Sequence, residues 1–513
     1  MEEQFIPSQS LWRTTEITSF PKLDKDIQTE VTVVGGGITG TTTAYMLVKQ
    51  GFDVVLLEAG RLVEGTTGYT TAKISSQHDL IYANLKKSLG QEKARLYYEA
   101  NQEGFDLIDT IRKELRIDCD FSYQDAFIYA DTQKQEKLIK KEVAAYQELN
   151  IKGGWTDEDE LPYPTRSSAI ISQQAQFHPV KYLQGMIQFL KEKNTPIYEN
   201  SRAENIDKGH TPTVIVRDGH RVESNHVVMA SHYPFNDFEG VYFSRLHIER
   251  SYTIAVKTED YVPAGMYLRA GSPKRSIRSA LDEKGDSLLL IGGEGHTSGQ
   301  KENTNRCYEN LLEFAKKYWK VTDVPYKWSS QDISTLDQVP YIGPVTETNS
   351  NVYVATGFSK WGMTNGTIAA KVITDQISKV SNKYEELFKP SRFNANKDIP
   401  NFAFENLDVA KEFIKGKLNR KDHTVENIKR GEASIVRYNG KKGGAYKDEE
   451  GNVTVVDTSC THMGCDVAWN NAENSWDCPC HGSRFTAEGE VIEGPAVKPL
   501  KLFYRSEKLV NIN

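Results

Sequence analysis

"VTVVGGGITGTTTAYMLVKQGFDVVLLEAG", residues 31–60, decides the first part of the fold. Val31 to Val34 read as a buried strand, Thr41 to Gln50 as a helix, and Val54 to Leu57 as a second, parallel strand. Between the first strand and the helix, Gly35, Gly37 and Gly40 form G-x-G-x-x-G. Gly35 permits a tight turn, Gly37 lets the backbone approach a pyrophosphate, and Gly40 lets helix and strand pack closely. The pyrophosphate then rests on the helix N-terminus. Glu58 ends the second strand at about the twenty-residue offset, where an acid accepts hydrogen bonds from ribose hydroxyls and repels a 2′-phosphate. A glycine-rich turn without a ligand is the competing reading, and strand, helix, second strand and acid together weigh against it. NAD and FAD share this fingerprint. The glycine-rich "GGEGHTSG" at 292–299 has no helix pattern and no acid after it, so a second dinucleotide unit is not expected.

Around this unit the chain has 513 residues, 38% hydrophobic and 26% charged, with a formal net charge of −7. That length predicts two or more domains. The acidic balance gives no footprint for nucleic acid. "MEEQFIPSQSLWRTT" at the N-terminus carries no basic or apolar targeting region. Apolar runs such as "VVLL" and "LLLI" are far too short to span a membrane. A cytoplasmic enzyme without a membrane span is the expectation.

Short β-branched runs alternate with helical stretches through about residue 385: "HVVMASH", "SLLLIGG" and "NVYVATGFS" are examples. This is the pattern of an α/β domain, placed at 1–385. "KPSRFNANKDIPNF" is rich in turn formers, and "LDVAKEFIKGKLNRKD" reads as one short helix; together they predict a connector at 386–424. From 425 to 513 the segments are short and strand-like, with turns at "NGKKGG", "DEEGN" and "AEGE". They predict a small all-β domain of about ninety residues.

The first region resembles the D-amino-acid oxidase superfamily of FAD-dependent oxidoreductases. The likeness lies in "GGGITG" and "LLEAGR", in "GTTGYTTAK" (65–73), in "DQVPYIGPV" (337–345) and in "VYVATGFSKWGMTNG" (352–366). It implies a Rossmann-like FAD-binding domain with an interleaved mixed-sheet substrate domain. It also implies that Gly35, Gly37, Ile38, Gly40, Glu58, Arg61, Thr66, Thr67, Thr71 and Ala72 line the FAD. Gly357, Gly362, Met363 and Thr364 would do so from the last segment, and Ala203 near the adenine. Turn chemistry alone is the alternative for the threonines.

"CTHMGC" (460–465) and "CPCHGS" (478–483) hold four of the six cysteines and two of the eleven histidines. The other two cysteines, Cys119 and Cys307, stand apart. Cys460, His462, Cys478 and His481 could bind zinc tetrahedrally, which leaves Cys465 and Cys480 unexplained. A [2Fe–2S] Rieske centre takes two thiolates on one iron and two imidazoles on the other. Both sextets resemble the Rieske proteins of cytochrome bc-type complexes, and "EGPAVKPL" (493–500) resembles their third loop. The resemblance implies Cys460, His462, Cys478 and His481 as iron ligands, a Cys465–Cys480 disulfide, and a Ser483 hydrogen bond to the cluster. Phe485 stands where that family has a tyrosine, and losing the hydroxyl implies a lower potential.

A hydride acceptor joined to a one-electron carrier predicts an oxidoreductase that takes a hydride from a small substrate and relays single electrons to the cluster. The resemblance points to an amine or amino acid. Candidate substrate contacts are His178, Arg278, His296 and either Lys360 or Trp361, each of which is equally a structural residue. The partners expected are a small-molecule substrate and an external electron acceptor or donor. Two other readings stand beside this one: an electron-transfer protein reduced by a partner or NAD(P)H, and a redox sensor.

Overall fold

The computed structural model describes residues 8–207, 211–237, 239–392, 411 and 424–506. Strand β1 (Ile27–Val34), helix α1 (Ile38–Lys49) and strand β2 (Val54–Leu57) follow the expected order. β1 pairs in parallel with β2 on one side and with strand Arg221–Met229 on the other. A strand in that position is covered on both faces, so Val31, Val33 and the whole of "VVLL" are buried rather than alternating. α1 starts earlier than the expected Thr41. The glycine motif itself supplies its first turn, with Thr41 N donating to Gly37 O at 3.0 Å.

The eight-stranded sheet continues outward. Strand Asn349–Thr356 pairs in parallel with Arg221–Met229, and Ile197–Tyr198 pairs in parallel with β2. Helix Gly362–Ile377 leaves the sheet after Asn349–Thr356 and crosses α1 closely: a Cβ on Gly366 would lie 2.6 Å from Thr39 Oγ1. The first turns of both helices therefore meet beyond the carboxyl ends of the parallel strands, where open α/β sheets hold ligands.

A second, nine-stranded sheet is built from the segments in between. It is mixed. Met266–Arg269 runs parallel to Ser122–Ala130, while Leu246–Thr258 is antiparallel to both Ser287–Thr297 and Val321–Thr335. "GGEGHTSG" is largely the end of strand Ser287–Thr297, which accounts for its lack of a following helix. Helix Asn305–Tyr318 covers this sheet with Cys307 buried.

The C-terminal region consists of two four-stranded antiparallel sheets. Its core gathers Val456, Trp476, Phe485 and Leu500 around the cysteines of both loops. "NGKKGG" is a turn only at its start, since Lys441–Lys447 is a strand. Of the connector, helix Glu385–Phe388 and turn Pro390–Arg392 are described; apart from Lys411, the helix expected at "LDVAKEFIKGKLNRKD" lies outside the described residues. Among the described residues no helix is long and apolar enough to cross a membrane.

Candidate functional site

A crevice of about 1310 Å³ opens at the helix first turns and runs along the face of the mixed sheet. Its nucleotide end is made by omission. A Cβ on Gly35 (φ +111°) would lie 2.5 Å from Ala230 O, and one on Gly40 would lie 1.9 Å from Gly35 O. α1 begins with glycine at its cap; Ile38 N donates to Thr67 Oγ1 at 3.1 Å, and the amides that follow it in the first turn face an anion site. Glu58 is pinned by two amides: Gly36 N donates to Oε2 at 2.7 Å and Gly60 N to Oε1 at 2.9 Å. Burial pushes this carboxyl up against the pull of those amides. These features fit the pyrophosphate and ribose of a dinucleotide.

Of the expected contacts, Gly35, Gly37, Ile38, Glu58, Arg61, Thr66, Thr67, Thr71, Ala203, Gly362 and Met363 line the crevice. Gly40, Ala72, Gly357 and Thr364 do not. Gly40 packs helix on strand, and Ala72 is fully buried behind the lining. Gly357 faces the Thr335 side chain, and Thr364 Oγ1 is engaged with His78 and the Ser75 carbonyl.

Three of the expected substrate contacts stand outside the crevice lining, each held by neighbouring groups. His178 caps helix Pro179–Glu192 through Nδ1 and packs edge-on against Trp12 at 5.0 Å. Arg278 donates to the carbonyls of Thr71 (2.8 Å) and Ala72 (2.7 Å), so it braces the lining from behind. His296 is held by Tyr252 OH at 3.1 Å and the Thr297 carbonyl at 2.9 Å. Lys360 does line the crevice, with Asp332 at 3.1 Å and Glu249 at 3.2 Å from Nζ.

Sequence reasoning missed several lining residues. Lys73 is the single charge in "GTTGYTTAK"; its ammonium donates to Tyr267 O at 2.8 Å, and burial, then Arg278, lowers it to about 7. Trp361, a candidate beside Lys360, was not missed: it lines the crevice and stacks on His78 with ring centres 4.7 Å apart. Glu249 and Asp332 sit mid-strand, where an isolated acid gives no sequence signal.

The cluster loops are built by side chains. Cys465 and Cys480 are joined as a disulfide. Among the described residues, Cys465, Cys478 and Cys480 offer sulfurs within 4.8 Å of one another. Two of those are spent on each other, so the thiols that can ligate are Cys460 and Cys478. Cys478 hydrogen-bonds the Cys460 sulfur, which lowers the Cys460 thiol to about 6 and raises Cys478 well above the usual thiol range. The His462 amide and the Ser483 hydroxyl also point at Cys460. Ser483 is itself fixed by Ala496 N at 3.0 Å, in the third loop. The two imidazoles stand perpendicular with centres 5.0 Å apart. Burial lowers His481 to about 3, and its Nδ1 is buried without a hydrogen-bond partner. His462 uses Nε2 on Asp237 at 3.1 Å, so a ligand bond from it comes from Nδ1. Two thiols and two Nδ1 atoms, the imidazole of His481 neutral, fit a [2Fe–2S] centre. The disulfide accounts for the two cysteines that a zinc site left over.

The two sites share a wall. Arg484, Val491, Glu493 and Val497 of the cluster region line the same crevice as the glycine turn. Arg250, fully buried on the mixed sheet, donates to Glu493 Oε2 at 2.9 Å and Ser329 Oγ at 2.7 Å, and its Nε lies 3.8 Å from Asp477 Oδ2. Arg484 completes the group with Asp477 at 3.1 Å and Glu493 at 3.4 Å. Burial alone would raise the Glu493 carboxyl, but Arg484 and Arg250 outweigh it and hold it low. Gln331, in the crevice wall, donates to Gly482 O at 3.0 Å, next to His481. Gly482 has φ +71°, and a Cβ there would lie 2.5 Å from Ile248 Cγ2.

Residues 30–376 match the FAD dependent oxidoreductase (DAO) family, and residues 421–504 match the Rieske [2Fe-2S] domain. The chain is 43% identical over 494 residues to YhfW of Bacillus subtilis (strain 168), a protein named for a Rieske 2Fe-2S centre, covering 96% of this chain and 97% of that one. It is 24% identical over 401 residues to gamma-glutamylputrescine oxidoreductase of Escherichia coli (strain K12), covering 75% and 90%. In structure it resembles glycine oxidase from Geobacillus kaustophilus, with a TM-score of 0.61 at 16% identity over 72% of this chain and 100% of that one. That likeness is one of fold.

Proposed function

This chain belongs to the FAD-dependent oxidoreductase family and carries a Rieske [2Fe-2S] domain, and from that premise we propose that it oxidises a small amine or amino acid and relays the electrons one at a time to its own cluster. Bound FAD supplies a two-electron hydride acceptor, and the [2Fe–2S] centre supplies a one-electron carrier. The observation that carries the reading is the shared wall: residues of the cluster region line the crevice that the glycine turn opens. Electron transfer between the two then requires no partner.

In this reading the unit spans 1–385, the connector 386–424 and the cluster domain 425–513, in the cytoplasm. Cys460, His462, Cys478 and His481 hold the iron. The α1 amides and Glu58 hold the dinucleotide, and Arg278 fixes the Thr71–Ala72 backbone behind it. The mixed-sheet face supplies the substrate end. Glu249 and Asp332 border it, and Burial, which alone would raise the Glu249 carboxyl, is outweighed by Lys360, which holds it low. Two carboxylates that share the one Lys360 ammonium leave a net negative charge there, which suits a cationic amine. Arg278 is occupied by backbone carbonyls, which disfavours it as a clamp for a substrate carboxylate. One relative, gamma-glutamylputrescine oxidoreductase, is named for a compound that carries a primary amine.

Anaerobic titration of the purified holoprotein with a panel of amines and amino acids tests this. Flavin absorbance and the spin-resonance signal of the reduced cluster are followed together. The expected result is bleaching by an amine with the cluster signal rising alongside it. A flavin fully reduced by substrate beside an intact, oxidised cluster would overturn the relay.

A further inference from the structure

The residues that follow strand Arg221–Met229 face two ways. Ser231, His232, Tyr233 and Phe235 line the crevice. A few positions on, Asp237 Oδ2 lies 3.1 Å from His462 Nε2, with side chains 2% and 5% exposed. Phe243 packs edge-on against both imidazoles, with ring centres 6.4 Å from His462 and 6.0 Å from His481. One stretch of the flavoprotein domain thus forms part of the nucleotide site and covers the histidine edge of the cluster loops. The carboxylate comes from the flavoprotein domain, outside the Rieske domain's own sequence.

We propose that Asp237 is a positioning residue for the cluster, acting across the domain interface: it orients the His462 imidazole through Nε2–H and lowers the reduction potential of the iron that His462 ligates. The physical argument has two parts. A carboxylate accepting from the distal N–H of a ligating imidazole fixes the tautomer, fixes the ring plane and makes the ligand more basic. A buried negative charge near the metal also opposes the arrival of an electron, and at this burial water screens it little. Both effects favour the oxidised cluster. Asp237 touches neither substrate nor iron; it acts on the cluster through its bond to His462 and through its charge.

The inference rests on the ligand assignment proposed above. It does not need electrons to come from substrate, so it stands or falls separately from the relay. The test is a mediated redox titration of the holoprotein, read by the spin-resonance signal of the reduced cluster, for wild type, Asp237→Asn and Asp237→Ala. Asp237→Asn keeps an oxygen acceptor of the same shape and removes the charge. The expected result is a rise in cluster midpoint in both variants of at least a tenfold shift in the reduction equilibrium, 59 mV for one electron, with the flavin midpoint unmoved. Pulsed spin resonance should show an altered nitrogen coupling for one of the two histidines. Should Asp237→Ala fail to hold the cluster, the isosteric Asp237→Asn decides alone. A cluster midpoint in Asp237→Asn shifted less than twofold, with unchanged nitrogen couplings, would overturn the proposal and leave Asp237 as packing.

Discussion

At the glycine turn, a Cβ on Gly40 would lie 1.9 Å from a backbone oxygen; at the cluster loops, two thiols and two imidazoles crowd one buried space. The first site works through backbone amides and needs side chains kept out. The second works through side chains, and its backbone serves to aim them. The difference predicts how each site fails. A backbone site degrades by degrees as its geometry loosens, whereas a side-chain site loses its occupant when one ligand goes.

The sharpest test of that contrast is Cys478→Ser. It should abolish the cluster's visible absorption and spin-resonance signal completely while flavin stays bound at full stoichiometry. Joint loss of both cofactors would break the comparison and make the sites one cooperative unit. Arg250→Met comes next. It leaves Glu493 and Asp477 with Arg484 alone in a buried setting, and removing one partner of such a group costs about 3–5 kcal/mol. The expected readout is faster proteolysis between the domains, with the flavin spectrum unchanged. Lys73→Met has the opposite sign. The Lys73 ammonium is depressed to about 7 in the folded chain against about 10.4 unfolded, so folding is penalised below the unfolded value. The penalty grows as pH falls toward 7 and is constant below it. The variant should therefore gain on the order of 4 kcal/mol in urea melts of the flavin-free protein at pH 7, and the gain should vanish as pH rises past about 10.4. Glu58→Gln is the smallest. It turns one acceptor into a donor facing an amide, which costs about 1 kcal/mol, read as weaker flavin retention on dilution.

The two regions were also legible to different degrees. β2 was readable residue for residue because four apolar β-branched and leucine side chains between polar flanks have few other uses. The cluster loops were readable because cysteine and histidine at tight spacing are rare outside metal sites. The start of α1 was misjudged because the glycines look like turn and are also the helix's first turn. Ala72, Gly357 and Thr364 were expected on the lining and stand behind it: a motif fixes the chain path, while the rotation of each residue is set by packing. Lys73 was passed over as an ordinary charge. Asp237 was beyond reach, since its partner His462 is 225 positions away and a single aspartate in "SHYPFNDF" carries no spacing signal.

That last contact has a mechanical side. The carboxylate belongs to one domain and the imidazole to the other, so whatever it does to the cluster's hold on an electron must reappear in the domains' hold on each other. A tenfold penalty on reduction while docked is a tenfold weakening of docking once reduced. On that proposal the contact would work as a clutch, firmer with the cluster oxidised and looser with it reduced, so that arrival of an electron would favour departure of its carrier.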